Sequence, residues 1–174
     1  MRSGLLWPRW LFLRALGLIF LSAFVSLHGE IGGLIGPRGL LPAGEYLEAL
    51  ARALPGWKSV WAAPTLLWLS SGEGALRALV WAGLVCSILF TLNLWPRVTC
   101  ALCVVLFLSF AAAAQDFSGY QSDGMLLEAG FVAIFLAPRG IRPGLGGGDP
   151  PSRLAWFLLV WEWLRIYFES GVVK

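Results

Sequence analysis

ALRALVWAGLVCSILFTLNLWPRVTCALCVVLFLSFAAAA, residues 75–114, decides the fold. It holds two apolar runs, Ala75 to Trp95 and Val98 to Ala114, parted only by Pro96 and Arg97. Each run has about the length a helix needs to cross the hydrocarbon core of a bilayer, roughly 20 apolar residues. Two residues return a chain only through a tight turn, so the runs are expected to pair as an antiparallel hairpin. Small residues on both, namely Gly83, Ser87, Ser109 and Ala111 to Ala114, let membrane helices approach closely.

Working toward the C-terminus, residues 115–124 (QDFSGYQSDG) form a polar turn. A shorter run, Met125 to Ala137, follows; it spans by extending back toward Gln121 or by tilting, or else it is re-entrant. The Pro/Gly stretch 138–153 reads as a linker, and Leu154 to Phe168 is the last apolar run. Toward the N-terminus, Trp10 to Leu27 is an 18-residue apolar run. Arg2, Arg9 and Arg14 also suit a signal sequence there, although no clean small-x-small cleavage site follows. Residues 29–74 make a long first loop, with a short surface helix expected over Tyr46 to Leu54 and ended by Pro55-Gly56. Trp57, Trp61 and Trp68 place this loop in the interfacial zone.

The expected fold is therefore an all-α membrane protein, a bundle of about five transmembrane helices with a long Gly/Pro-rich first loop. Residues 1–174 form a single transmembrane domain, with spans at about 10–28, 75–95, 97–114, 122–137 and 153–169. Composition agrees. Only 13% of residues are charged and 58% are hydrophobic, whereas soluble domains carry roughly 25% charged residues. Mean hydropathy is +0.75. The lipid bilayer is the implied partner. The net charge of +3 forms no basic stripe, so nucleic acid is not expected. Five spans with a cytoplasmic N-terminus place Arg2, Arg9, Arg97, Arg139, Arg142 and Arg153 inside. Arg38, Arg52, Lys58 and Lys174 then lie outside, a distribution that favours this orientation.

Ionisable residues inside a membrane are costly and mark candidate sites. Arg14, Glu128, Glu162 and Arg165 qualify, and Glu162, Arg165 and Glu169 share one helix face. Arg14 and Glu128 have no local partner and are expected to pair with each other. The preferred reading of these charges is structural; the alternative is a polar cavity for a substrate or proton. In the polar turn, Asp116, Gln121 and Asp123 either contact a cation or partner or serve as solvated caps, and Asp123 is expected to cap the run at Met125.

Other chemistry is thin. Cys100 and Cys103 form C-x-x-C with apolar flanks and no nearby His, so packing is expected rather than redox or metal binding. Among the three cysteines and one histidine there is no zinc spacing. His28 is the only histidine, no G-x-S-x-G elbow occurs, and Gly144 to Gly148 is read as linker rather than a dinucleotide fingerprint. No catalytic residue, metal or cofactor is expected.

Three segments, in order and at matching spacing, carry a resemblance. They are FLRALGLIFLSAFVSLHGEIGGLIGPRGLLPAGEYL (residues 12–47), QDFSGYQSDGMLLEAGFVAIFLAP (residues 115–138) and WLRIYFESGVVK (residues 163–174). Together they resemble the lipase maturation factor family of membrane proteins. One departure is Gln121-Ser122-Asp123, where the family pattern has Gln-Trp-Asp. The resemblance implies several membrane helices, a cytoplasmic N-terminus and a role in folding or assembly of exported proteins. It places the chain in the endoplasmic reticulum membrane of a eukaryote or the inner membrane of a bacterium. An exported client protein is the implied partner. Family members continue beyond the segment ending here at Lys174, so the chain is expected to correspond to the N-terminal membrane part. The candidate residues are Arg14, Arg38, Asp116, Gln121, Asp123, Glu128, Glu162, Arg165 and Lys174. A non-enzymatic platform is the preferred role. A membrane-embedded enzyme or transporter using the buried Arg and Glu residues, and an inactive fragment of a longer member, are the alternatives.

Overall fold

The computed structural model describes residues 5–54, 56–118 and 121–172, in which every regular element is a helix. Helix α1 is Leu6–Leu34, α2 Ala43–Ala53, α3 Trp57–Ala62, α4 Glu73–Thr91, α5 Pro96–Ala113, α6 Gln121–Leu136 and α7 Arg153–Val172. Short 3-10 turns occupy Leu66–Trp68 and Gln115–Ser118.

The expected hairpin forms. Glu73 and Arg77 pair across one turn at the start of α4 at 2.6 Å, the i,i+4 spacing that favours a helix. The chain leaves α4 through Asn93 (φ 63°) and Trp95 (φ 46°), and Pro96 opens α5. Proline suits a first helical position because that N–H has no intrahelical acceptor anyway. α1, α4, α5 and α6 then pack in antiparallel order, with α7 leaning on α6.

Aromatic side chains fill the centre. Phe20 and Phe24 of α1 are fully buried and meet Phe107 of α5 edge-on, each pair with ring centroids 6.1 Å apart. Gly130 admits this packing, because a Cβ there would stand 2.7 Å from Val104 and 2.9 Å from Phe20. α7 is less tightly held: Ala155 and Leu159 form its small buried cluster with Leu136 of α6.

The outside of the bundle is apolar. Leu11, Leu18 and Val25 of α1, Trp81 and Val85 of α4, Val98 and Leu102 of α5, Phe131 of α6, and Phe157 and Leu164 of α7 are all exposed. Water tolerates no such continuous surface on a monomer; lipid does. This is an all-α membrane bundle of about five long helices. Three of them, α1, α4 and α5, are long and apolar enough to cross a membrane by length and composition. α6 has 16 residues, and α7 carries Arg153, Glu162 and Arg165.

Two helices begin or end at different places from the apolar runs that marked them. α1 has 29 residues, about 43 Å at 1.5 Å per residue, and so exceeds both the 10–28 span and a hydrocarbon core of roughly 30 Å. It continues through Gly29, Gly32 and Gly33 because nothing there removes a hydrogen bond. α6 begins at Gln121, which puts Asp123 inside the first turn rather than at a cap. A carboxylate in a first turn faces the positive end of the helix dipole.

The 29–74 segment is a folded layer. The chain doubles back after α1, Leu40 and Leu41 donating to the carbonyls of Gly33 and Leu34. α2 starts at Ala43, slightly before the expected Tyr46, and buries Ala43 and Leu47. Thr65 fastens the layer to α5: its hydroxyl donates to the Ser109 carbonyl at 2.8 Å, and the Ser109 hydroxyl accepts from the Leu66 N–H at 3.2 Å.

Candidate functional site

The two ends of the bundle differ, and the loop after α6 makes the difference. Arg9, one turn into α1, is 1% exposed. Its guanidinium donates to the carbonyls of Asp149 at 2.7 Å and of Leu145 and Gly146 at 2.8 Å. Three acceptors converge because Gly146 (φ 71°) turns the backbone inward, and a Cβ there would collide with Arg9 and Pro138. Asn93 donates to the Gly144 carbonyl at 2.8 Å, and the Trp95 N–H to the Ile141 carbonyl at 2.9 Å. Arg97 reaches the Ile134 carbonyl at 3.0 Å, near the end of α6 where carbonyls lack helical partners. The stretch read as a linker is thus a clamp uniting the ends of α1, α4 and α6. Sequence reasoning counted Arg9 only as an orienting charge or as part of a signal sequence. An arginine deep in one helix start, opposite a run of glycines, was the available signal.

Arg14 is also buried, but its expected pairing with Glu128 does not occur. It donates to the Thr91 carbonyl at 2.9 Å and lies over the rings of Phe90 (5.5 Å) and Trp10 (6.0 Å). The antiparallel run of α1 and α4 brings Arg14 level with the last turn of α4, the negative end of that helix. Its Nε and Nη2 are buried without a hydrogen-bond partner.

Glu128 instead pairs with Arg165, joining α6 to α7. Glu162 stands close enough to act electrostatically on both, and it is 7% exposed. It lines a groove of about 530 Å³ between α1, α6 and α7, whose lining residues do not include Arg14.

At the opposite end, Asp123 lines a second cavity of about 220 Å³ with Glu30, Leu34, Phe107 and Phe117. The folded layer lies at this same end. Its Trp57, Val60, Trp61 and Leu69 are exposed, a band suited to the membrane interface. Arg38 is exposed in the turn between α1 and α2. The side chains of Asp116 and Gln121, and all of Lys174, lie outside the described residues, as does the side chain of Glu169.

Residues 7–174 match the family described as lipase maturation factor transmembrane domain. The chain belongs to the lipase maturation factor family. Lipase maturation factor 2 of mouse is 36% identical over 181 residues, covering 96% of this chain and 26% of that protein. The chicken protein of that name is 38% identical over 176 residues, covering 96% and 24%. Lipase maturation factor 1 of cattle is 33% identical over 182 residues, covering the whole chain and 32% of that protein. The chain spans about a quarter of the length of the mouse, human and rat relatives. No solved structure matches.

Within this member of the family, the segments that carried the resemblance converge. Residues 12–47 supply most of α1 and the start of α2, residues 115–138 include α6, and residues 163–172 are the far half of α7. Glu128 and Arg165 tie the second segment to the third. Cys100 and Cys103 are buried with free thiols, and the Cys100 thiol faces the Gly130 carbonyl at 3.5 Å.

Proposed function

We propose that this chain is the membrane platform of a maturation factor that assists the folding or assembly of exported proteins, lipases foremost. The match to the family along residues 7–174 carries this reading. The geometry supports it through the asymmetry of the bundle: one end is locked by the Arg9 clamp, the other presents an apolar aromatic layer and the Asp123 cavity. The N-terminus and the clamp lie in the cytoplasm, and the 29–74 layer faces the exported side. Arg9, Arg97, Arg139, Arg142 and Arg153 then fall on the cytoplasmic side, in keeping with the bias of Lys and Arg toward it. α6 and α7 complete five crossings of one transmembrane domain, in the endoplasmic reticulum or the bacterial inner membrane.

Arg14, Glu128 and Arg165 hold the helices in place in this reading. Asp123, with Asp116, Gln121, Arg38 and Lys174, belongs to the exported face. The enzyme or transporter alternative called for one polar cavity joining Arg14, Glu128 and Glu162. Arg14 is engaged with α4 instead, which favours the platform.

Photocross-linkers at Trp61 and at Phe157 test the reading in cells that export a lipase. The platform predicts adducts with newly made lipase from position 61 and none from the lipid-facing position 157. Equal capture from both positions, or none from position 61, would overturn it.

A further inference from the structure

We propose that the groove between α1, α6 and α7 binds a single-chain amphiphile whose hydroxyl hydrogen-bonds to the Glu162 carboxyl. The groove encloses about 530 Å³, within the range of pockets that hold small molecules, about 300–1,000 Å³. Its walls are Phe12 and Leu16 of α1, Met125 and Leu126 of α6, and Leu159 and Ile166 of α7. Into this apolar space projects one carboxyl group. Glu162 is 7% exposed, and its Oε2 is buried with no hydrogen-bond partner.

An unpaired buried carboxyl is costly, more so in a membrane that offers no water. Arg165 stands near enough to act on Glu162 electrostatically, but its ion pair is made with Glu128, and Glu162 Oε2 is left without a hydrogen-bond partner. A ligand that brings its own hydrogen-bonding group into the groove satisfies Glu162, and an alkyl chain satisfies the walls.

The lining residues of each helix span about two turns, roughly 10 Å along the axis, a length that a stretch of alkyl chain lying in the groove covers. Access is from the side: Ile19 and Trp163 line the groove and are also exposed on the surface that faces lipid. The inference is independent of the maturation reading, since it rests only on the groove and on Glu162.

The experiment uses the full chain in phosphatidylcholine nanodiscs. Hexadecanol and hexadecane, each carrying a photoreactive diazirine at mid-chain, are the probes, and labelled peptides are mapped by mass spectrometry. The proposal predicts that the alcohol labels residues 12–19 and 122–129 at least fivefold more than the alkane, and that unlabelled hexadecanol competes. Glu162→Gln keeps a hydrogen-bonding amide and retains the labelling; Glu162→Met reduces alcohol labelling to the alkane level. Equal labelling by the two probes, labelling spread over the outer helix faces, or indifference to Glu162→Met would overturn the proposal. If Glu162→Met fails to fold, the comparison of alcohol and alkane on the unaltered chain decides.

Discussion

Replacing Arg9 with methionine should release the clamp on the loop after α6. The substitution keeps much of the apolar stem and removes every donor. It breaks hydrogen bonds to three carbonyls, those of Leu145, Gly146 and Asp149, at 2.7–2.8 Å. Hydrogen bonds to a charged group contribute about 1.5–3 kcal/mol each. The full sum overstates the loss, because the loop lies at the end of the bundle where water replaces part of the network. A net local cost of about 3 kcal/mol is the working figure. Because 1.4 kcal/mol is tenfold in an equilibrium constant, the open loop should be populated roughly a hundredfold more. Trypsin reads this directly at Arg139 and Arg153, which bracket the loop, while the Arg142–Pro143 bond between them resists it. Where opening is fast relative to cleavage, the cleavage rate tracks the open population. Arg9→Met should therefore be cut near these residues about a hundredfold faster. Arg9→Lys, which lacks the planar fork, should fall between. Cleavage of Arg9→Met at the unaltered rate would refute the argument.

Gly130→Ala should lower the unfolding temperature in detergent by several degrees, because the new methyl meets Val104 and Phe20. Gly124→Ala, where nothing lies within 4 Å, should leave that temperature unchanged or slightly raised. Glu128→Gln and Arg165→Gln should each cost about 1.5–3 kcal/mol, while the double substitution should cost no more than either alone; additive losses in thermal unfolding would deny the pair. Thr65→Val removes the bond to the Ser109 carbonyl, and hydrogen exchange of the 56–69 amides should accelerate several-fold while α4 and α5 keep their protection.

Helix positions were legible in the sequence because the physics behind them is local. Apolar runs of the right length fix α1, α4 and α5, and Pro96 marks where one helix must give way to the next. α6 was harder, since its first turn is written in polar residues, Gln121, Ser122 and Asp123, that read equally well as loop. The partners of charges were not legible. Arg14 was matched to Glu128 on the cost of a lone charge, but the choice between Thr91 and Glu128 depends on the relative height of α1, α4 and α6. Arg9 was missed for a related reason: its acceptors are backbone carbonyls some 140 positions away, and carbonyls have no signature in a sequence. The glycines at 144–148 looked like slack because composition cannot distinguish a flexible loop from one shaped by positive φ at Gly144 and Gly146.

The central claim is that the Arg9 clamp faces the cytoplasm and the 29–74 layer the exported side, with α7 crossing between them. Single cysteines at Lys58, Arg142 and Val172, on a background with Cys86, Cys100 and Cys103 replaced by alanine, test it with a membrane-impermeant maleimide applied to the exported side of sealed membranes. The account predicts labelling at 58 and 172 without permeabilisation, and at 142 only after it. Labelling of 142 with protection of 58 would invert the orientation, and protection of 172 alone would show that α7 does not cross.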